Sequence, residues 1–516
     1  MPRIVAPVLV AALIASQSAW AKDLLGTAGR DRLVGTAGAD LVKPRGGPDT
    51  VTTGSGNDRV VAPADDAVDS IDCGAGTDLM LADLADRVMP TCEFVSRQLS
   101  RDRTTDFRAQ HETAVEPHSF AYGQAVVVAF QLGRFEAGGG AASLGWSASR
   151  DSGRTWRTGV LATTGFRAVS DPVVAYDAAH ATWLITYVAL TGSSVDVFVS
   201  RSADGLAWGQ PVPVAVAPSP DVDYDKEWIV CDNGAASRFR GRCYVSYLDT
   251  ASRMIVTRAS TDGGRTWAAP VGSRAGIPEG VLINGAMPVV RPNGDLVVLF
   301  TVFPMLGAGD WVASTRSTDG GVTFSPATRV SSIDAQDPLG MRAPPLVSAA
   351  ADRSGAIRAV WSDCRFREQC ESNDVVLATS RDGVSWAPPV VVPTTVSAAR
   401  VDAMIPAIAV SGADLAVAYY TLPQPNGCAQ FACPGLDAWT VAQRGGKWSR
   451  PQRISPQSMP LAWLADGGIG AMVGDYISVS WSGGTPIAVV ALATEPETDA
   501  LREAIFAAAP AAPTLK

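Results

Sequence analysis

One octapeptide, returning every fifty to sixty residues, constrains this chain more than any other feature. SRDSGRTW at 149–156 comes back as STDGGRTW at 260–267 and STDGGVTF at 317–324, with shortened copies SADGLAW at 202–208 and SRDGVSW at 380–386 and a worn copy QRGGKW at 443–448. The closing aromatics stand at 156, 208, 267, 324, 386 and 448, spaced 52 to 62 residues apart. Periods of that size mark solenoids or propellers. Between copies lie short runs such as AVVVAF (125–130) and DLVVLF (295–300), β-branched or aromatic and bounded by Gly, Asp and Pro, which read as strands. No long helical pattern accompanies them, so the expectation is all-β. The motif itself reads as a hairpin turn. Ser and Asp oxygens cap turn N–H groups, Gly takes the left-handed residue, and the aromatic docks on the sheet.

A second periodic element precedes each apolar first strand: Glu116-Pro117, Asp171-Pro172, Asp225-Lys226-Glu227, Asn284 before Met287-Pro288, Arg342 before Pro344-Pro345, and Asp402 before Pro406. A seventh, Gly474-Asp475-Tyr476, opens a unit without the octapeptide. This count predicts seven blades, with six as the alternative. The last unit offers three strands, and residues 107–113 are expected to supply its fourth, closing the ring and removing an exposed edge. First strands line a propeller's axis, so Glu116, Asp171, Asp225, Glu227, Arg342, Asp402, Asp475 and Tyr476 would meet in the central funnel, with Arg365 on a neighbouring loop. Convergent carboxylates raise one another's pKa, which lets one act as an acid while another stays ionised. Taken singly, each also reads as a turn cap or an inter-blade hydrogen bond.

The octapeptides resemble the Asp boxes (bacterial neuraminidase repeats) of sialidases and related propellers, over nearly all of residues 110–510. The resemblance implies a sialidase-like β-propeller and glycoside hydrolysis. It casts Tyr476 as nucleophile, Glu227 as its partner and Asp171 as acid/base. Arg342 and Arg365 would hold an anionic group, and Glu116, Asp225, Asp402 and Asp475 would line the substrate. The family's first-blade Arg-Ile-Pro is Val115-Glu116-Pro117 here. An acid beside a substrate carboxylate is repulsive, which points to a glycan other than sialic acid. The rival readings are a non-catalytic propeller that binds glycan or matrix and, further off, a polysaccharide lyase.

Residues 22–92 keep a shorter rhythm. GTAGRDRLV (26–34), GTAGADLVK (35–43), PRGGPDTVT (44–52) and TGSGNDRVV (53–61) share Gly at the fourth position, Asp at the sixth and an apolar residue at the eighth. The pattern resumes at Asp69 with Ile71 and at Asp78 with Met80. Two nonapeptides make one coil, so Asp31 stacks with Asp49 and Asp40 with Asp58. The repeat is similar to the haemolysin-type (RTX) parallel β-roll. That resemblance implies Ca²⁺ held by Asp31, Asp40, Asp49, Asp58, Asp69 and Asp78, hard oxygen ligands suited to the ion. Residues 93–109 would be a linker that includes a possible closing strand, and 511–516 a tail.

The remaining features concern location and partners. Residues 1–21 read as a secretory leader: Arg3, an apolar stretch, then Ala19-Trp20-Ala21. Eight Cys fall in close pairs: Cys73 with Cys92, Cys231 with Cys243, Cys364 with Cys370, and Cys428 with Cys433. Four sequential bridges are expected, because disulfides persist outside the cytosol. A secreted, bacterial, monomeric protein is expected. With 51 acidic against 42 basic residues and a net charge of −9, nucleic acid is excluded as a general partner. No later apolar run approaches the ~20 residues of a membrane span. His111, Glu112, Glu116 and His118 cluster in sequence but lack metal-ligand spacing, and structural roles are expected for both histidines.

Overall fold

The computed structural model describes residues 21–63, 65, 67–136, 139–220, 222–272, 275–304, 309–394, 400–424, 435–496 and 500–510. Nearly all of the expected leader (1–21) and the whole of 511–516 lie outside them. Two short 3₁₀ turns are the helical elements among the described residues, and no helix is long and apolar enough to cross a membrane.

The nonapeptides wind into a flattened parallel coil. Asp23–Leu25, Leu41–Lys43, Arg59–Val61 and Leu79–Ala82 form one parallel sheet, and Arg32–Val34, Thr50–Thr52, Ser70–Asp72 and Arg87–Val88 form the other. The eighth-position residues Val42, Val51, Val60, Ile71 and Met80 fill the space between the sheets, at no more than 1% exposure. The disulfide between Cys73 and Cys92 lies in the same core. Turn glycines are obligatory where coils stack: a Cβ on Gly76 would fall 1.6 Å from the carbonyl oxygen of Gly56.

Among the described residues seven antiparallel sheets of three or more strands follow in chain order, with a two-stranded ribbon, Ala465–Asp466 and Ala471–Met472, before the last. Their innermost strands are Ala114–Tyr122, Val169–Asp177, Tyr224–Cys231, Val281–Val290, Ser348–Ala351, Val401–Ser411 and Ser478–Ser482. Each packs against the next, and the seventh packs against the first, so the sheets close into a propeller around a central axis. The first and second sheets are also joined through the pairing of Ala141 with Val169.

Two of the expected disulfides staple the propeller. Cys231 and Cys243 stand directly opposite each other, one ending the innermost strand of the third sheet and the other opening its neighbour, and a disulfide joins them. A second disulfide, between Cys364 and Cys370, closes the tight loop that follows Ile357–Asp363 in the fifth sheet. The fourth expected bridge differs in standing: Cys428 and Cys433 both fall outside the described residues. Three bridges out of the four are therefore described.

Closure falls inside residues 93–109, but not at the segment expected to supply the strand. The fourth strand of the last sheet is Phe94–Gln98, paired antiparallel with Glu503–Pro510, not residues 107–113. On its other edge Phe94–Gln98 pairs in parallel with Leu79–Ala82 of the roll. One sheet therefore runs from the roll into the propeller, with Phe94–Gln98 paired on both sides at the junction, and the strand that closes the ring is the last strand of the roll. Residues 107–113 make only bridges, Ala109 with Phe135 and Thr113 with Glu503.

The repeated turns behave as their residues dictate. In the first, the Asp151 carboxylate accepts from the Thr155 N–H at 2.9 Å and the Thr155 hydroxyl at 2.7 Å, while Ser149 Oγ accepts from the Gly153 N–H at 2.8 Å. The same bonds recur around Asp262 and Asp319, whose carboxyls hydrogen bonding holds down at about 2 despite opposing burial. A glycine of each turn packs on the preceding sheet. A Cβ on Gly205, Gly264, Gly321 or Gly383 would lie within 2.5–3.1 Å of Val127, Leu184, Tyr244 or Val297 respectively. The glycines are thus the mortar between sheets. In the worn sixth copy Gly445 has no atom within 4 Å of such a Cβ. Gly383→Ala is therefore expected to cost about 2–3 kcal/mol, positive φ plus overpacking, measured by urea unfolding. Gly445→Ala should cost about 1 kcal/mol, from backbone strain alone. Equal losses would contradict the packing role.

Candidate functional site

The site is built by irregularities in the innermost strands. Five of them carry a β-bulge, after Val115, Ser170, Asp225, Asn284 and Met404. Each bulge holds one left-handed residue: Glu116 (φ 52°), Asp171 (55°), Lys226 (48°), Gly285 (72°) and Ile405 (50°). Bulges re-aim a side chain, and non-glycine residues at positive φ cost ~1–3 kcal/mol each and gather at functional sites. These positions give the hub an unequal wall. The first three sheets contribute charge, and the fourth and sixth contribute Gly285 and Ile405.

Lys226 sits at the centre of the charged side. Its Nζ lies 2.9 Å from Asp171 Oδ1, 3.1 Å from Asp475 Oδ2 and 3.4 Å from Glu116 Oε1. Arg342 grips Asp475 from outside with two 2.7 Å hydrogen bonds and donates to the Gly467 carbonyl at 3.1 Å. Gln131 Nε2 donates to Glu116 Oε2 and, at 2.9 Å, to Ser170 Oγ. Arg134 steadies Gln131 at 3.3 Å. The cluster is buried, and Arg342 is its most exposed member, with 26% of its side chain accessible. Burial opposes the Lys226 charge, but Asp171, Asp475 and Glu116 hold its pKa well above the ordinary value. Glu116 is pushed up to about 7 by burial, which Lys226 partly offsets. Asp475, though buried, is held well below the usual carboxylate range, chiefly by Lys226 and Arg342.

Glu227 stands apart. Both of its carboxyl oxygens are buried without a hydrogen-bond partner, and burial, reinforced by Asp171, drives its pKa far up. Its carboxyl is thus biased towards the protonated form, next to an ion network. Tyr476 lies under Lys226, with Nζ 5.0 Å from its ring centre, and edge-on to Trp228 at 5.2 Å. Its hydroxyl donates to the Pro172 carbonyl at 3.2 Å, and burial, then Glu116 and Asp171, hold its pKa well above the ordinary value. The hydroxyl is engaged and protonated. A cavity of about 30 Å³, room for about one water, touches Lys226, Trp228, Gly285, Ile405, Asp475 and Tyr476. A second cavity of about 770 Å³ lies between the innermost strands; it shares Trp228 and Met287 with the first, and none of Glu116, Asp171, Lys226, Glu227 or Asp475 lines it.

Glu116, Asp171, Glu227, Arg342, Asp475 and Tyr476 thus come together as the sequence suggested. Asp225 flanks them, accepting from Asn284 Nδ2 at 3.1 Å and from the Lys226 N–H at 3.0 Å. Arg365 and Asp402 are spent elsewhere. Arg365 chelates Asp363 at 2.8 and 2.6 Å, and Asp402 caps the Asn373 N–H at 2.8 Å and holds Gln424 at 3.1 Å. The hub position of the sixth sheet belongs to Ile405. His118 accepts from the Val174 N–H at 3.0 Å and stacks edge-on to Trp228. Burial pushes it down to about 3, a neutral structural histidine.

The comparisons assign no family. No family model matches the chain, and no curated protein does. Among solved structures it is similar to a protein of unknown function from Dyadobacter fermentans, with 20% identity over 64% of this chain and 94% of that one, TM-score 0.42. It is similar to the Hadza microbial sialidase Hz136, with 17% identity over 63% and 66%, TM-score 0.41. A third is the Penicillium chrysogenum α-L-arabinanase complexed with arabinobiose, with 14% identity over 63% and 92%, TM-score 0.42.

In the roll, the sixth-position aspartates form two carboxylate ladders. On one edge the N–H groups of Asp31, Asp49 and Asp69 donate to the carboxylates of Asp49, Asp69 and Asp86 at 2.7, 2.8 and 3.0 Å. On the other, those of Asp40, Asp58 and Asp78 donate to Asp58, Asp78 and Glu93 at 2.8, 2.8 and 3.0 Å. Each such bond uses one carboxylate oxygen. The second oxygens of Asp49, Asp58 and Asp78 are buried without a partner. Among the described residues no three His, Cys, Asp or Glu side chains converge as a metal site; the ladders offer stacked pairs.

Sequence reasoning missed Lys226, Gln131 and Arg134. Lys226 carried a signal, as one of only five lysines in the chain, set between two acids.

Proposed function

We propose that this protein is an exported glycoside hydrolase, a seven-bladed propeller with its acid/base centre at the hub. Glu227 is the general acid, and Asp171, salt-bridged to Lys226, is its partner. One observation carries the reading: two neighbouring carboxyls are held in opposite environments, Glu227 buried with no partner and Asp171 against an ammonium. Glycoside hydrolysis commonly uses such a pair, and unequal environments assign the roles. Glu116 and Asp475 keep Lys226 in place, and Tyr476 gives electrostatic support rather than a nucleophile. The part-exposed Arg342 suits an anionic substituent. Extracellular glycan is the substrate class, in line with the leader sequence and the three described disulfides.

The binding reading keeps its own support. Lys226 and Arg342 are both engaged by carboxylates, and the Tyr476 hydroxyl is spent on a carbonyl, as in a hub built for rigidity. A panel of chromogenic sialosides, arabinofuranosides and neutral hexosides, run beside a glycan array, separates the two. Turnover supports the hydrolase. Array binding with no turnover on any substrate supports the binding propeller and ends the catalytic reading.

For the roll we infer Ca²⁺, with Asp31, Asp40, Asp49, Asp58, Asp69 and Asp78 as its charged ligands. The residues fit the ion: stacked carboxylates with unpartnered buried oxygens want a hard cation, which takes six to eight oxygens, the remainder coming from turn carbonyls. Bound Ca²⁺ would neutralise the ladders.

A further inference from the structure

The carboxylate ladder does not stop where the nonapeptide pattern fades. Its next rung is Glu93, which no repeat predicts, and whose Oε2 accepts from the Asp78 N–H at 3.0 Å as each aspartate does for the one before it. Asp78, 1% exposed, carries an unpartnered Oδ2 at this junction, as does Asp58 one rung earlier. Glu93 is followed at once by Phe94–Gln98, the strand that belongs to both sheets. The opposite ladder ends on the same strand: Arg97 Nη1 donates to the carbonyls of Asp83 and Asp86 at 2.8 and 3.2 Å. Just beyond, the Leu99 N–H donates to the Ile505 carbonyl at 2.7 Å, and the Ile505 N–H donates to Ser100 Oγ at 2.7 Å.

We propose that Glu93 forms a terminal cation site with Asp78, and that Ca²⁺ loading of the roll is thereby coupled to closure of the propeller ring. This rests on the calcium reading above. Without the cation, stacked carboxylates repel along the ladder and loosen its last rung, which is also the latch of the ring. With it, charge is neutralised and Phe94–Gln98 is fixed from the roll side. The propeller's own stability then depends on a metal bound outside it.

The sequence supplies a clean reporter. Every tryptophan after Trp20 lies between Trp146 and Trp481, so tryptophan fluorescence reads propeller unfolding alone. The chain from residue 22 to 516 is melted with EDTA, with about 5 mM Mg²⁺, and with about 5 mM Ca²⁺, above the range of weak extracellular sites. Ca²⁺ is expected to raise the tryptophan-detected Tm by about 4 °C or more, and Mg²⁺ by much less. Glu93→Gln keeps an acceptor for the Asp78 N–H but not the charge. It should fold, lose one Ca²⁺ from the calorimetric stoichiometry, and lose most of the Tm rise. Calorimetric Ca²⁺ binding with an unmoved tryptophan Tm overturns the coupling and leaves the calcium reading standing. No Ca²⁺ heat at all overturns both. A full Tm rise retained in Glu93→Gln overturns the role of Glu93.

Discussion

Lys226→Met should be the most destabilising single substitution in the hub, costing about 3–5 kcal/mol, the range for breaking a buried ion pair by removing one partner. The ammonium is 7% exposed and lies within 3.4 Å of three carboxylates. Without it, Arg342 alone faces Asp475, while Glu116 and Asp171 are left buried and unpaired. The variant's carboxyls must then take up protons on folding. A carboxyl whose folded pKa is raised contributes stability that is present below its unfolded pKa and lost as pH rises. The gap to the native protein should therefore narrow as pH falls from 7 towards 4. Adding Glu116→Gln should restore part of the loss at pH 7. Urea unfolding across that pH range checks all three, and a loss below about 0.5 kcal/mol would mean the three carboxylates do not depend on the lysine.

The second large effect is on turnover. Glu227→Gln is isosteric and removes only the proton-donating carboxyl, so kcat should fall about 10²–10⁴-fold, the usual worth of a general acid, with KM changed by less. The alkaline limb of the native pH profile should belong to Glu227, with activity lost as pH rises through its raised pKa. Stability should move the other way. Above about 4.5 the unfolded Glu227 is ionised, whereas burial biases the folded carboxyl towards its protonated form, so folding takes up a proton that the glutamine variant does not need. Relative to the native protein, the variant should gain stability as pH rises above that value, by up to about 1.4 kcal/mol per pH unit. A variant less active but never more stable would place Glu227 in contact with an unseen partner instead.

Local spacing made much of this molecule legible. The Ser-x-Asp-Gly turns form their own hydrogen bonds within eight residues, so their chemistry is written where it acts. The nonapeptide aspartates likewise find one another because coil length is fixed by the repeat. The bridges of Cys231 with Cys243 and of Cys364 with Cys370 were equally readable, since each pair is close in sequence and meets across one turn of chain. What escaped was whatever depended on register. Period-two alternation makes Asp225 and Glu227 a pair and turns Lys226 away, but the bulge after Asp225 re-aims the lysine into the hub. In the sixth sheet the nearest acid before Pro406 is Asp402, but the left-handed hub residue is the one directly before the proline, Ile405, as Glu116 and Asp171 are before theirs. Arg365 looked free because its captor, Asp363, lies two residues upstream on the strand Ile357–Asp363. The closing strand was legible only as some part of residues 93–109, because Phe94–Gln98 serves two sheets at once and its second partner is about 400 residues away in sequence.

Everything proposed for the hub turns on one proton: that of Glu227, held on a buried carboxyl while Lys226 and Arg342 keep Asp475 ionised nearby. Infrared difference spectra of native protein minus Glu227→Gln at pH 7 read it directly. The account predicts loss of a protonated-carboxyl C=O band that shifts in D₂O and persists until the pH rises through the raised pKa. Loss of an ionised-carboxylate band instead would contradict it, and with it the assignment of Glu227 as the acid.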